Sequence, residues 1–204
     1  MYDTIANQNS IEKVLTALAE RNFEGLVVDT KDQALAKIQE LIPAGASVMN
    51  GASVTLEQIG YVDYVKSNAH PWNNLHAAIV AQKDPAQAAL LRRQAVFADY
   101  YLGSAAVLTE QGELVFGSNT GSQLPALAFT SPNVVLVVGA QKIVANLEQA
   151  LKRLEDYVVP LEDEHMKGLY GQGTMHAKTL ILHRENPKYG RKVRVIIVKE
   201  NLGF

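Results

Sequence analysis

Apolar positions along the chain follow two rhythms: a recurrence every three or four residues, which marks one face of a helix, and short unbroken runs, which mark buried strands. Ile11, Val14, Leu15 and Leu18 keep the helical spacing, with Ser10 as the N-cap. "GLVVDT" (residues 25–30) reads as a strand, and Thr30 caps a helix whose Leu35, Ile38, Leu41 and Ile42 share a face until Pro43 and Gly45 end it. "SVMNGASVTLEQIG" (residues 47–60) is a strand, a tight turn and a helix. Asp84 and Pro85 start another helix, because proline at the first helical position gives up only an N–H with no partner there. This helix runs to about residue 98. Residues 100–116 are extended, with a hairpin turn in which Gly112 supplies a positive φ. "NVVLVVG" (residues 133–139) is apolar on both faces, as central parallel strands are. Val144, Leu147, Leu151, Leu154 and Val158 predict one helix over residues 141–157, and "VRVIIV" (residues 193–198) is a last buried strand. Residues 162–192 are the least patterned and read as a long loop or excursion over the sheet.

The order of these elements places the chain in the α/β class: a mostly parallel central sheet, helices on both faces and a local antiparallel hairpin. The length of 204 residues suits a single domain spanning residues 1–204. Composition then removes functions. The formal charge of −2 argues against nucleic acid as a partner. No window approaches the roughly 18 continuous apolar residues of a membrane span. The first residues have neither a basic n-region nor an apolar h-region, so a cytoplasmic location is expected. The absence of cysteine excludes disulfides, thiolate metal sites, iron–sulfur ligation and thiol nucleophiles.

Three strand-to-helix junctions carry small polar residues: 50–53 ("NGAS"), 117–122 ("GSNTGS") and 139–142 ("GAQK"). Each can be a turn that caps a helix, or a cradle presenting N–H groups to an anion. Such junctions gather at the carboxyl edge of a parallel sheet, where α/β proteins bind ligands, and together the three favour a ligand site. The candidate binding residues are Asn50, Gly51, Ser53, Thr55, Gly117, Asn119, Thr120, Gly121, Ser122 and Lys142. The phosphate-loop pattern is absent, since Gly117 and Gly121 stand too close and no lysine follows, and no dinucleotide fingerprint follows a strand. In "GQGTMHAKTL" (residues 171–180), His176 and Lys178 are either a general base and an anion-binding cation or solvated loop residues. The segment is expected to fold back over the cleft and bring Lys178 to the anion. Glu110 and Glu113 flank the hairpin turn and are either solvated or a nucleophile and base beside the cradle. Trp72 is expected to be a partly buried anchor. His176 and His183, seven apart, match no zinc spacing, so no metal site is expected.

Residues 102–154, "LGSAAVLTEQGELVFGSNTGSQLPALAFTSPNVVLVVGAQKIVANLEQALKRL", resemble the central signature of the lactate-utilisation (LUD) domain family. The closing "VRVIIVKENLGF" is similar to that family's last strand with its Glu-x-Leu-Gly, and "MNGASVTLEQIG" to its early strand–helix junction. Many members carry a cysteine cluster before the last strand; here that stretch, "YGQGTMHAKTLILHRENPKYG", has none. The resemblance implies the fold of ribose-phosphate isomerases, glucosamine-phosphate deaminases and CoA-transferases. It implies a phosphate cradle at Asn50, Gly51, Ser53 and Thr55, and an acyl-CoA loop at residues 117–122. It also implies a part in oxidising L-lactate to pyruvate beside iron–sulfur partner subunits. Without cysteine or a dinucleotide fingerprint, this chain is not expected to carry electrons or a cofactor. The leading expectation is a protein that binds a small anionic metabolite (a carboxylate, sugar phosphate or CoA derivative). The alternatives are a stand-alone isomerase or acyl-transferase, and a non-catalytic assembly or regulatory subunit; a homodimer is an open expectation.

Overall fold

The structure is a computed structural model and describes residues 2–67 and 69–204. It begins with α1 (Gln8–Glu20), β1 (Glu24–Val28), α2 (Lys31–Leu41), β2 (Ser47–Asn50), α3 (Val54–Gln58) and α4 (Tyr61–Lys66). Next come β3 (Asn73–Asn74), α5 (Leu75–Ala81), α6 (Pro85–Gln94), β4 (Tyr100–Gly103), β5 (Val107–Thr109) and β6 (Leu114–Ser118). The remainder is β7 (Asn133–Gly139), β8 (Ile143–Val144), α7 (Leu147–Arg153), α8 (Val159–Tyr170), β9 (Lys178–Leu182) and β10 (Lys192–Val198).

Six strands form one all-parallel sheet in the order β1-β10-β7-β4-β2-β3. Alternation decides which face each side chain joins. Val134, Leu136 and Val138 of β7 pack with α1 through Ile11, Val14 and Leu18. Val135 and Val137 pack on the other side with Ile38, Leu56 and Tyr61, from α2, α3 and α4. Both faces are therefore apolar and covered, which is why β7 after Asn133 reads as an unbroken hydrophobic run and β10 as one interrupted only by Arg194, which pairs with Glu24. Trp72 is buried in the second of these layers and donates from Nε1 to the Ile42 carbonyl at 3.1 Å.

The hairpin at Gly112 belongs to a separate four-stranded sheet, ordered β8-β5-β6-β9. Gly112 has φ +84°, as a tight β5–β6 turn requires. Leu108, Leu114 and Phe116 on one face of this sheet join the α1 core, while Val107 and Val115 on the other pack against Ala150 and Leu154. The parallel sheet and the hairpin agree with expectation; the second sheet is an addition to it.

Three local expectations are corrected. Asn7, not Ser10, caps α1, its side chain accepting from the Ser10 amide at 3.0 Å. The single helix over residues 141–157 is instead a 3₁₀ turn (Ala140–Lys142), then β8, then α7, capped at Asn146. Ile143 and Val144 are β-branched and pair with β5, so the helical spacing of Val144 is incidental. Residues 162–192 are not one long loop, because α8 runs to Tyr170 and β9 pairs antiparallel with β6. Among the described residues no helix is long and apolar enough to cross a membrane.

Candidate functional site

The carboxyl ends of β2, β4 and β7 open on one cleft, with a volume of about 490 Å³. After β2 the chain turns at Gly51. Ser53 caps α3, accepting from the Leu56 amide at 3.3 Å, and Thr55 is buried just beyond. β4 ends at Gly103 and hands Ser104 to the cleft, while the 3₁₀ turn after β7 sends Lys142 inward.

Lys142 is the chemical centre of this arrangement. Its side chain is buried, and Nζ donates to Thr55 Oγ1 at 3.0 Å and Ser104 Oγ at 3.1 Å. Those hydroxyls pass hydrogen bonds onward, Thr55 to the Leu202 carbonyl and Ser104 to the Ala105 carbonyl. Among the described residues no carboxylate forms an ion pair with it. Burial, helped by the Arg153 guanidinium, lowers its pKa from 10.5 to about 7.

The chain's last residues roof this lysine. Gln141 Nε2 donates to the Leu202 carbonyl at 2.8 Å, and the Gly203 amide donates to Gln58 Oε1 at 2.6 Å. Gly203 has φ +65°, and a Cβ there would stand 2.9 Å from Lys142 Nζ. Only glycine lets the backbone pass this close, which gives the Glu-x-Leu-Gly ending a physical reason.

The second loop, residues 117–122, also faces the cleft, but by a different route from the one expected. It leaves β6 of the mixed sheet and leads to a π-helical turn (Ala126–Thr130), so no α-helix dipole stands behind it. Part of its polarity is used within the loop. Ser118 Oγ accepts from the Gly121 amide at 3.0 Å and Thr120 Oγ1 from the Ser122 amide at 3.3 Å. Asn119 Nδ2 donates to Thr174 Oγ1 at 3.1 Å and ties the following strap to the loop.

That strap (residues 171–177) does fold back across the cleft, which Thr174, Met175 and His176 line. His176 Nδ1 lies 2.5 Å from Glu155 Oε1, and its Nε2 lies 2.8 Å from Thr179 Oγ1. Lys178 is exposed and donates to the Asn119 carbonyl at 3.0 Å, so it staples the loop and does not line the cleft.

Asn50, Gly51, Ser53, Thr55, Gly117, Asn119, Thr120, Ser122, Lys142 and His176 thus meet around one space; Gly121 and Lys178 stand behind it. Glu110 and Glu113 are not brought there. Glu110 accepts from Ser10 Oγ at 2.6 Å and pairs with Lys13, and Glu113 pairs with Arg21 at 2.9 Å and bonds Thr109. The hairpin turn points them at α1, away from the loop that their place in the sequence adjoins.

Three cleft residues escape sequence reading. Glu162 lies in α8, a stretch with weak apolar patterning, and burial raises its carboxyl pKa against the opposing pull of His165. His76 stands near the start of α5, where burial and then Arg92 lower its pKa. Ser104 carries a faint signal, a small polar residue straight after a strand. Glu162 and Lys142 are both pushed toward neutrality in one cleft, where such groups can exchange protons with a ligand, whereas His76 is pushed away from it. Among the described residues no group of three His, Asp or Glu side chains is gathered to hold a metal.

The LUD domain family model matches residues 11–170. The chain belongs to the LUD domain family. The match covers both loops and Lys142, while the tail that roofs the lysine follows it. The crystal structure of a DUF162-family protein from Deinococcus radiodurans has a similar fold. Its TM-score is 0.56 over 96% of this chain and 99% of that one, at 12% identity, so the likeness is one of fold alone. No curated protein matches the sequence.

Proposed function

We propose that this LUD-domain protein binds a small organic anion in the carboxyl-edge cleft and serves L-lactate utilisation, the oxidation of lactate to pyruvate, through that site. The observation that carries the reading is Lys142, a buried amine with no carboxylate partner among the described residues, beneath two polar loops. Charging an amine in such a buried place is costly, and a bound anion supplies the counter-charge that offsets the cost. The volume of about 490 Å³ lies in the roughly 300–1,000 Å³ range of sites for drug-sized ligands. It leaves room for a sugar phosphate or the acyl end of a CoA derivative as well as for a three-carbon acid.

A second reading, an isomerase or acyl-transferase, draws on Glu162 and Lys142, whose shifted protonation suits proton transfer. A third, a partner-binding subunit, draws on the exposed side chains of Phe97 and Phe129. A second copy of the chain or iron–sulfur subunits of a lactate-oxidising system are its proposed partners. Sedimentation of the isolated chain tests the first, and a purely monomeric species rules out the homodimer.

A thermal-shift screen of lactate, pyruvate, sugar phosphates and CoA esters tests the main reading. A ligand at 100 times its Kd adds about 2.7 kcal/mol, which raises Tm by roughly 5–10 °C for a chain of this size. No shift with any member, or an equal shift in Lys142→Met, contradicts it.

A further inference from the structure

We propose that Lys142 is a nucleophile that condenses with the carbonyl carbon of an anionic aldehyde or ketone, holding the ligand as an imine while the cleft's polar loops receive its acid group. The inference rests on the anion-binding reading and narrows it to carbonyl-bearing ligands.

Geometry carries it. An ammonium has three N–H donors, and a neutral amine has two N–H bonds and a lone pair. Lys142 makes two hydrogen bonds, to Thr55 Oγ1 and Ser104 Oγ, and both hydroxyls have carbonyl acceptors for their own protons. That set satisfies the neutral amine in full and leaves its lone pair free in a residue that lines the cleft. An ammonium in the same place would keep, among the described residues, one N–H without a protein acceptor and a charge without a counter-charge. The lowered pKa agrees, since near neutrality a large fraction of the side chain is unprotonated. A lysine serving only to bridge two hydroxyls would not need to line a cleft.

The step balances without an oxidant or a metal. The Nζ lone pair forms a bond to the carbonyl carbon, and the C=O π pair moves to oxygen, which takes a proton to give a carbinolamine. Loss of that oxygen as water leaves C=N. The two hydrogens of the amine depart with the oxygen, and the Thr55 and Ser104 hydroxyls stand at hydrogen-bond distance to relay them. The imine withdraws electrons from the neighbouring carbon, which prepares a bond there for proton loss or cleavage.

The test uses the intact protein with glyoxylate and, separately, pyruvate, each with sodium cyanoborohydride near neutral pH. Reduction of the imine fixes it as a secondary amine, read as one added mass per chain and located by peptide mapping. The expected result is modification of Lys142 at least tenfold faster than of any other lysine, with that fast phase absent in Lys142→Arg. Mapping on the wild-type chain alone decides the matter if the variant fails to fold. Melting temperature without the reductant is measured in parallel. A probe that raises Tm but leaves Lys142 unmodified overturns the imine and spares anion binding. Adducts spread evenly over surface lysines overturn the imine as well. Neither adduct nor Tm shift with either probe overturns the imine and counts against the anion site beneath it.

Discussion

The carboxyl-edge cleft and the hairpin turn at Gly112 both gather charged side chains, and they treat them in opposite ways. At the hairpin every carboxylate has a partner: Glu110 has Ser10 and Lys13, and Glu113 has Arg21 and Thr109. In the cleft, Lys142 is buried with two hydroxyls and, among the described residues, no counter-charge. Paired charges hold α1 against the second sheet and leave nothing for a ligand. An unpaired buried charge costs stability, and a binding site is one reason for a fold to keep it. Neighbours in sequence are therefore a poor guide to site membership: Glu113 is four residues from Gly117, yet faces the other way.

The sharpest way to break this contrast is Lys142→Met. Removing the desolvated amine should stabilise the fold while abolishing ligand-induced shifts in Tm. The folded pKa, about 7, lies below the unfolded value of 10.5. Between those pH values the unfolded chain binds more protons, so wild-type stability rises with pH there. The variant's advantage should be a few kcal/mol below pH 7 and shrink toward pH 10.5, as measured by urea unfolding across pH. A variant less stable than wild type at pH 6 would mean the lysine is structural.

Gly203→Ala should come next. A side chain at φ +65° against Lys142 and Thr55 should cost about 1–3 kcal/mol and weaken ligand binding together. A stable variant with unchanged ligand affinity would remove the tail from the site. At the hairpin, Glu113→Ala leaves Arg21 without its carboxylate and should cost about 1–2 kcal/mol in chemical denaturation. The ligand-induced Tm shift should stay as in wild type; a lost shift would bring the hairpin back into the site. Glu110→Gln should be the mildest, within ~1 kcal/mol, since its charged partner Lys13 is exposed and 3.4 Å away. The hydrogen bond from Ser10, the largest cause, holds the Glu110 carboxyl below its usual 4.5. Its contribution should thus be present above pH 4.5 and fade as pH falls through the folded value. Equal stability of Glu110→Gln and wild type at pH 6 and pH 3 would show that the carboxylate contributes nothing.

Elements with uniform surroundings were legible in the sequence. β7 and, apart from Arg194, β10 are apolar on both faces because both faces are covered, and Thr30 with Gln33 caps α2 by a reciprocal box. The loops that meet the cleft were legible as small polar stretches. What escaped depends on partners distant in sequence. Ile143 and Val144 have helical spacing but are drawn into a strand by β5. β9 is exposed enough to lack a clean alternation and exists because β6 offers an edge. Glu162 becomes a cleft residue only through the packing of α8, and Lys142 was visible as a cation but not as a buried one.

The central claim is that the protein keeps an unpaired, water-poor amine at the floor of its cleft. Carbon-13 labelling of lysine, with the Lys142 resonance assigned by its loss in Lys142→Arg, lets that single amine be titrated by NMR. The account predicts a midpoint near 7, and a higher one when a binding acid with no aldehyde or ketone group supplies the counter-charge. A Lys142 that titrates near 10.5, as lysines in water do, would contradict it.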